Sequence, residues 1–523
     1  MKTLRAALLA CAALIAPAAA QEAPLRIGVE AGPTSLDPHF ASLITNIAFG
    51  RHVFQPLMEQ DHRQNLRPAL ALSMRAVDDL TWEVRLDPAA RFHDGSPVTA
   101  EDVAFTIARA GDVPNSPSSF RYATRPVTGV EAMDATTLRI RTGQPAPLLP
   151  NLLALVMVVS KKHGEAATTA DYNSGRAMIG TGPFRHVSWQ PGQPYVLERN
   201  PSFHGAAPAH ARVEFRPIAN AGARVAALQA GDVDLIEIVP PEQFSRFRAD
   251  AAHFSVAESP SNRLIFLTLD SDREDSPFVR GKDSRPIANP LRDARVRRAL
   301  SIAINREALV SRVLQGQALA AGDLGPPGYF GTSPDLTPPR FDLAEARRLL
   351  NEAGWGQGFA VQVNGPNDRF VNDEQVVQAI AQMWTRLGIA ATVETRTRSV
   401  WLSEAAQLKY SVNLAGFSPN PEVLGMLETQ IHSWDTRLGL GTANRGRFSN
   451  AEVDALIQRA RTTMDNAERE RLTREATRKA LVEHTAMVPL YFQVNTWAMR
   501  KGITYEARSD EMTLAFSAGR AAP

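Results

Sequence analysis

The chain has 523 residues, 57 basic and 55 acidic, with a formal net charge of +2, and is 44% hydrophobic and 21% charged. This balance excludes the basic footprint of a nucleic-acid or anionic-membrane binder. The length exceeds what one hydrophobic core organises, which predicts two or three lobes.

Lys2 and Arg5 precede an apolar run from Ala6 to Ala16, then Pro17 and Ala18-Ala19-Ala20. A basic start, a short apolar core and an Ala-x-Ala ending read as a secretory signal peptide over 1–20, cleaved after Ala20, with an exported mature chain. The run is too short to persist as a membrane anchor. Leu8-Leu9-Ala10-Cys11 faintly resembles a lipoprotein box, but the apolar run continues past Cys11, so lipid attachment is not expected. Cys11 is the only cysteine. Its removal excludes disulfides, thiol catalysis and thiolate metal sites.

Strand-like and helix-like segments alternate thereafter. Leu25 to Val29 reads as a core strand and Trp82 to Leu86 as a half-buried one. Thr99 caps a helix carrying Val103, Phe105 and Ile107. Leu148 to Val159 reads as a buried core segment. Arg212 to Phe215, Asp234 to Ile238 and Leu264 to Leu269 are further strands. Arg224 to Ala230 is a short helix ended by Gly231. In the second half, helical spacing runs from Asp293 to Leu314. Asp342 and Ser449-Asn450 open helices, and Gln375 to Leu387 is a helix stopped by Gly388, with strand-like Ile389 to Glu394 following. Met487 to Met499 reads as one or two late strands. The fold class is α/β or mixed α+β. No linker separates the lobes, so the chain is free to cross between them more than once.

Catalytic motifs are missing: there is no Gly-x-Ser-x-Gly elbow, no His-Glu-x-x-His helix and no P-loop. Gly439 to Asn444 begins like a dinucleotide loop but lacks its third glycine and a preceding strand, and reads as a turn. His204 and His210 have poor metal-ligand spacing, and His93-Asp94-Gly95 reads as a turn before the Thr99 helix. No cofactor, metal or nucleic acid is expected.

Several blocks, in order, resemble the family-5 extracellular solute-binding proteins, which serve ABC importers of peptides, nickel complexes, opines and related solutes. They are Ser35-Leu36-Asp37-Pro38, Val53 to Leu57, Trp82 to Val103, Gly180 to Phe184, Leu197 to Pro201, Val296 to Leu300 with Ala303 to Arg306, Arg447 to Ile457, and Val488-Pro489-Leu490. The resemblance implies a periplasmic-binding-protein-like fold with hinged lobes around a central cleft and three domains. Domain I would comprise 21–52, 187–267 and 488–523, domain II 53–186 and domain III 268–487, with crossovers near 268 and 487 as the hinge. It also implies a periplasmic, monomeric, non-enzymatic protein. Such a protein captures a small peptide-like or other polar solute and delivers it to an inner-membrane permease with a cytoplasmic ATPase. An exported hydrolase on the same scaffold and a periplasmic peptide-holding chaperone or sensory module are the rivals.

The resemblance also points to ligand-contacting residues. Peptide-binding relatives carry a Gly-Trp segment followed by an Asp-Pro stretch whose acid pairs with the peptide amine. Here the matching stretch is Gly416-Phe417-Ser418-Pro419-Asn420-Pro421-Glu422. It lacks the Asp, places Glu422 differently and more closely resembles glutathione-binder-like members. Phe417, Ser418 and Asn420 are expected to line the cleft. Arg369, in the loop Asn364 to Phe370, is placed to grip a carboxylate in a bidentate pair or, alternatively, to pair with Asp373. Trp401 is a candidate for stacking on ligand or for the core, and Ser35 and Phe40 for the cleft edge.

Overall fold

The computed structural model describes residues 23–418 and 422–521. The signal peptide, Cys11 and Asn420 lie outside the described residues. Among those described, no helix is long and apolar enough to cross a membrane.

The fold is organised by two long antiparallel strands, Phe254–Leu269 and Val488–Arg500, at the centre of a 12-stranded sheet. On one side lie Leu235–Glu237, Leu25–Val29 and Arg212–Pro217, the last two parallel to each other. On the other side lie Val412–Phe417 and Ala360–Pro366, also mutually parallel. The long pair therefore runs through both lobes. Its ladder is irregular between Pro260 and Leu264 and again between Ile265 and Phe266. Residues 261–263 turn their groups elsewhere. The Asn262 amide donates to Ser509 O at 3.1 Å, and Arg263 and Ser261 both reach Glu511.

Four hydrophobic clusters form among the described residues. The first joins the inner face of the Leu25–Val29 strand to a separate four-stranded sheet, Ala71–Asp78, Thr81–Leu86, Val127–Ala132 and Thr137–Thr142. These two sheets therefore share one interior. Two further clusters, one built on Ile265, Val363, Trp384 and Leu414 and one on Phe266, Leu424 and Ile457, fill the opposing lobe. A small fourth cluster packs Val225, Phe244 and Phe247 beneath Ile236.

The sequence blocks from Ser35 to Leu490 noted above act mainly as fasteners. Asp37 takes two hydrogen bonds from Arg109, at 2.9 and 2.7 Å, with Thr169 as a further donor. The Arg109 guanidinium lies 4.8 Å from the Tyr172 ring centroid. Thr99 and Asp102 form a capping box. Arg297 donates to four carbonyls, those of Leu291, Arg292, His484 and Thr485, and Arg306 to the carbonyls of Pro489 and Ser301. Burial lowers both guanidinium pKa values to about 10. These two arginines anchor the segment that enters the Val488–Arg500 strand. The helix expected over 293–314 stops at Ile302, because the Asn305 side chain accepts from Ala308 N and starts a new turn. Gly231 and Gly388, at φ +79° and +96°, follow helix ends as the sequence predicts, and Gly354, at +82°, does the same after Leu343–Glu352.

Candidate functional site

The two halves of the sheet point the carboxyl ends of their parallel strands toward the same gap. Val29 and Pro217 end strands on one side; Pro366 and Phe417 end strands on the other. Loops at the carboxyl ends of parallel strands are where open α/β sheets place ligands, because side chains from several loops converge there.

Arg369 occupies the loop after Pro366. The Asp373 carboxylate accepts from the backbone amides of Arg369 and Phe370, at 3.0 and 2.9 Å, and so holds the loop without pairing with the guanidinium. The guanidinium lies 5.3 Å from the Phe370 ring centroid. Phe370 meets Trp401 edge to face at 6.1 Å, and the Trp401 indole N–H donates to Asn413 Oδ1 at 2.7 Å. Trp401, 6% exposed, packs beneath the loop. A side chain at Gly416 would strike Phe370 at 2.7 Å and Ile265 at 2.6 Å, so this position demands glycine.

Among the described residues, the Arg369 guanidinium has no ion-pair or hydrogen-bond partner. Burial, followed by the charge of Arg263, lowers its pKa to about 10, against the opposing pull of Glu511 and Glu30. It stays a cation at neutral pH. Arg263 is itself neutralised by Glu511, with Nε and Nη2 at 2.7 and 2.6 Å from the two carboxylate oxygens. Burial works to raise the Glu511 carboxyl, but Arg263, its hydrogen bonds and Arg369 outweigh it and hold it below the ordinary carboxylate range.

Beside this corner a cavity of about 840 Å³ separates residues 118–152 from the opposing lobe. Tyr122 and Arg125 stand on one wall; Phe417, Ser418, Glu428 and Arg461 stand on the other. Phe417 pairs with Leu264 as the strand ends. The Ser418 hydroxyl oxygen is buried with no partner among the described residues, a state that invites a hydrogen bond from a bound molecule or water. Glu428 is paired with Arg461 Nε at 3.1 Å. Glu422 is not available to a ligand amine: it is buried against Arg469.

Ser35 is 4% exposed, and its hydroxyl donates to Asn173 at 2.9 Å and accepts from the Asp37 amide. It draws its loop inward instead of presenting it to the gap. Phe40 is half-buried, and its carbonyl accepts from Ser116 at 2.7 Å. Phe417 and Ser418 therefore line the cavity and Arg369 stands in the loop after Pro366, whereas the Trp401 and Ser35 side chains are buried. Arg263, Glu511, Tyr122, Arg125, Glu428 and Arg461 were missed by sequence reasoning, since no local motif marks residues that converge only through folding. Among the described residues, no group of three or more His, Cys, Asp or Glu is placed to hold a metal.

Known proteins match this architecture along nearly its full length. The chain is 27% identical over 513 residues to the probable D,D-dipeptide-binding periplasmic protein DdpA of Escherichia coli K12, covering 96% of this chain and 94% of the relative. It is 25% identical over 508 residues to the glutathione-binding protein GsiB of the same strain, covering 94% and 93%. The crystal structure of the ABC transporter substrate-binding protein CtaP from Listeria monocytogenes superposes with a TM-score of 0.81 at 23% identity, covering 96% of this chain and 99% of that one. The family model of bacterial extracellular solute-binding proteins, family 5 middle region, matches residues 65–435, more than half the chain, and the protein belongs to that family.

Proposed function

We propose that this solute-binding protein is the periplasmic substrate-binding component of an ABC importer and that its cargo is a small peptide-like solute bearing a carboxylate. The observation that carries the cargo reading is the Arg369 guanidinium, held at the carboxyl end of a parallel strand with no acid of its own. A ligand carboxylate completes it with a bidentate pair. Phe417 and Ser418 supply an apolar face and a polar tip to the cavity. Relatives named for binding a D,D-dipeptide and glutathione support a peptide-like cargo. The burial of Glu422 against Arg469 supports a ligand whose free amine is not the anchoring group.

Closure of the lobes is the act that selects the ligand. A solute favours the closed form only if it contacts both walls, since a ligand equally bound by both forms shifts nothing. The long strand pair, which has sheet strands on both sides of it, supports the three-domain reading with crossovers near 268 and 487. Export through the leader at 1–20, a monomeric state and hand-over to a permease with its ATPase complete the proposal. Membership in a family of binding proteins weighs against a hydrolase.

The test is a thermal-shift screen of the chain beginning at Gln21 with dipeptides, oligopeptides, glutathione, opines, sugars and nickel chelates. A ligand at a hundred times its dissociation constant adds about 2.7 kcal/mol. Shifts from carboxylate-bearing peptides that vanish in Arg369→Ala support the reading. Shifts confined to sugars or nickel chelates would sink it.

A further inference from the structure

Among the described residues, the cavity between the lobes is lined by three arginines, Arg125, Arg437 and Arg461, and by a single carboxylate, Glu428. Glu428 is already committed to Arg461. Arg125 makes no ion pair and no side-chain hydrogen bond with the described residues, and Arg437 approaches only Asp435, at 3.9 Å. The cavity therefore carries one guanidinium with no acid, that of Arg125, and a second, that of Arg437, 81% exposed and held only loosely by Asp435 outside the lining.

These two groups come from opposite walls. Arg125 ends the short helix Arg121–Thr124, on the body that contains the four-stranded sheet. Arg437 belongs to the turn closed by the reciprocal backbone pairing of Asp435 with Leu440, on the opposing lobe. Arg125 reaches the turn that carries Arg437: a Cβ on Gly439, which has φ +70°, would stand 3.2 Å from Arg125 Nη1. A residue larger than glycine would push the Arg125 side chain away from this place.

Two like charges facing each other across a gap resist its closing, and an anion between them reverses the sign of that interaction. We infer that Arg125 and Arg437 form an anion subsite that spans the lobes, so that the ligand carries a second anionic group in addition to the one received by Arg369. The inference rests on the binding reading above and narrows it to a ligand that is at least dianionic. The subsite also couples charge to motion. Only the closed form brings both guanidiniums to one anion, so a ligand lacking the second charge leaves the repulsion in place and closes the lobes less completely.

The test is isothermal titration calorimetry on the mature chain with three probes that share one backbone: alanyl-alanine, N-acetyl-alanyl-alanine and N-succinyl-alanyl-alanine. They are zwitterionic, monoanionic and dianionic at neutral pH. The expected result is a preference of about tenfold for the succinyl over the acetyl probe, falling to near unity in Arg125→Gln and in Arg437→Gln. Both side chains are exposed, so matching melting temperatures will show that the variants are folded. Equal affinities for the two blocked probes, or a preference that survives in the double variant, overturn the subsite and leave the peptide-binding reading intact. Binding of alanyl-alanine alone has the same meaning. If none of the three binds, the subsite is overturned, and silence of the wider thermal-shift panel takes the peptide reading with it.

Discussion

Glu422 and Arg469 meet through both carboxylate oxygens, Nε to Oε2 at 3.2 Å and Nη2 to Oε1 at 2.9 Å, with neither side chain more than 6% exposed. The Phe330 ring covers the guanidinium at 4.8 Å. Removing one partner strands a buried charge, which costs about 3–5 kcal/mol. Glu422→Gln is expected to lower the urea midpoint accordingly. The double replacement Glu422→Leu with Arg469→Met is expected to recover much of the loss. Ligand affinity of the folded Glu422→Gln protein should stay close to that of the parent chain, and a large drop in calorimetric affinity would return Glu422 to the binding site.

Arg369 presents the opposite case, a desolvated cation without an acid. Arg369→Ala is expected to leave the ligand-free protein as stable as before, or slightly more so. It should weaken an anionic ligand by about 1.5–3 kcal/mol, the worth of hydrogen bonds to a charged group. Arg369→Lys should restore only part of the affinity, because an ammonium cannot reproduce a planar two-point contact. Melting curves with and without ligand separate the two effects.

His39 and His52 are fully enclosed. His39 Nε2 faces Met157 O at 2.7 Å, and His52 Nε2 accepts from the Ala515 amide at 2.9 Å. Burial, reinforced by Arg109 in the case of His39, lowers both pKa values to about 4. Below pH 6.5 the unfolded chain takes up protons that the native protein refuses. Stability from these groups is therefore complete above pH 6.5, declines down to pH 4, and is lost below it. Each histidine accounts for up to about 3 kcal/mol of that decline. Urea midpoints from neutral to acid pH should fall less steeply in His52→Gln than in the parent, and parallel curves would refute the assignment.

The Arg263–Glu511 pair fastens the interrupted ladder, and Glu511 adopts φ +65° to do so. Glu511→Gln should cost about 1–3 kcal/mol through the loss of two charge-assisted hydrogen bonds. Because the native Glu511 carboxyl lies below its ordinary range, this contribution is present above about pH 4.5 and fades as acid protonates it. Small-angle scattering of the variant should report a broader range of lobe separations. An unchanged profile would show that the pair is not needed to hold the crossing.

Much of the fold was legible in the sequence because its signals are local. Thr99 with Asp102, Asp342, and the helix-ending Gly231, Gly354 and Gly388 each act within one turn, and each stands where expected. The Leu25–Val29 strand was read to the residue. The site was less legible. Arg369 and Ser418 sit on loops adjacent to strands and Phe417 ends one, so position in the chain led to them. Trp401 and Ser35 could not be sorted, because their roles depend on Asn413, Phe370 and Asn173 arriving from elsewhere in the chain. Arg263 with Glu511, 248 positions apart, had no sequence signal at all.

The central strand pair and the walls of the gap occupy different parts of the chain. On the proposed reading, the ladder of Phe254–Leu269 with Val488–Arg500 would carry the swing of the halves, whereas the loops after Val29, Pro366 and Phe417 would choose what they close upon. Insertions or exchanges in those loops leave the ladder's hydrogen bonds intact. A lineage can thus trade one nutrient for another by rewriting three short stretches, while the mechanical part passes down unaltered. The same separation makes the chain a practical chassis for biosensors: a reporter placed across the gap would respond to any cargo for which the loops are redesigned.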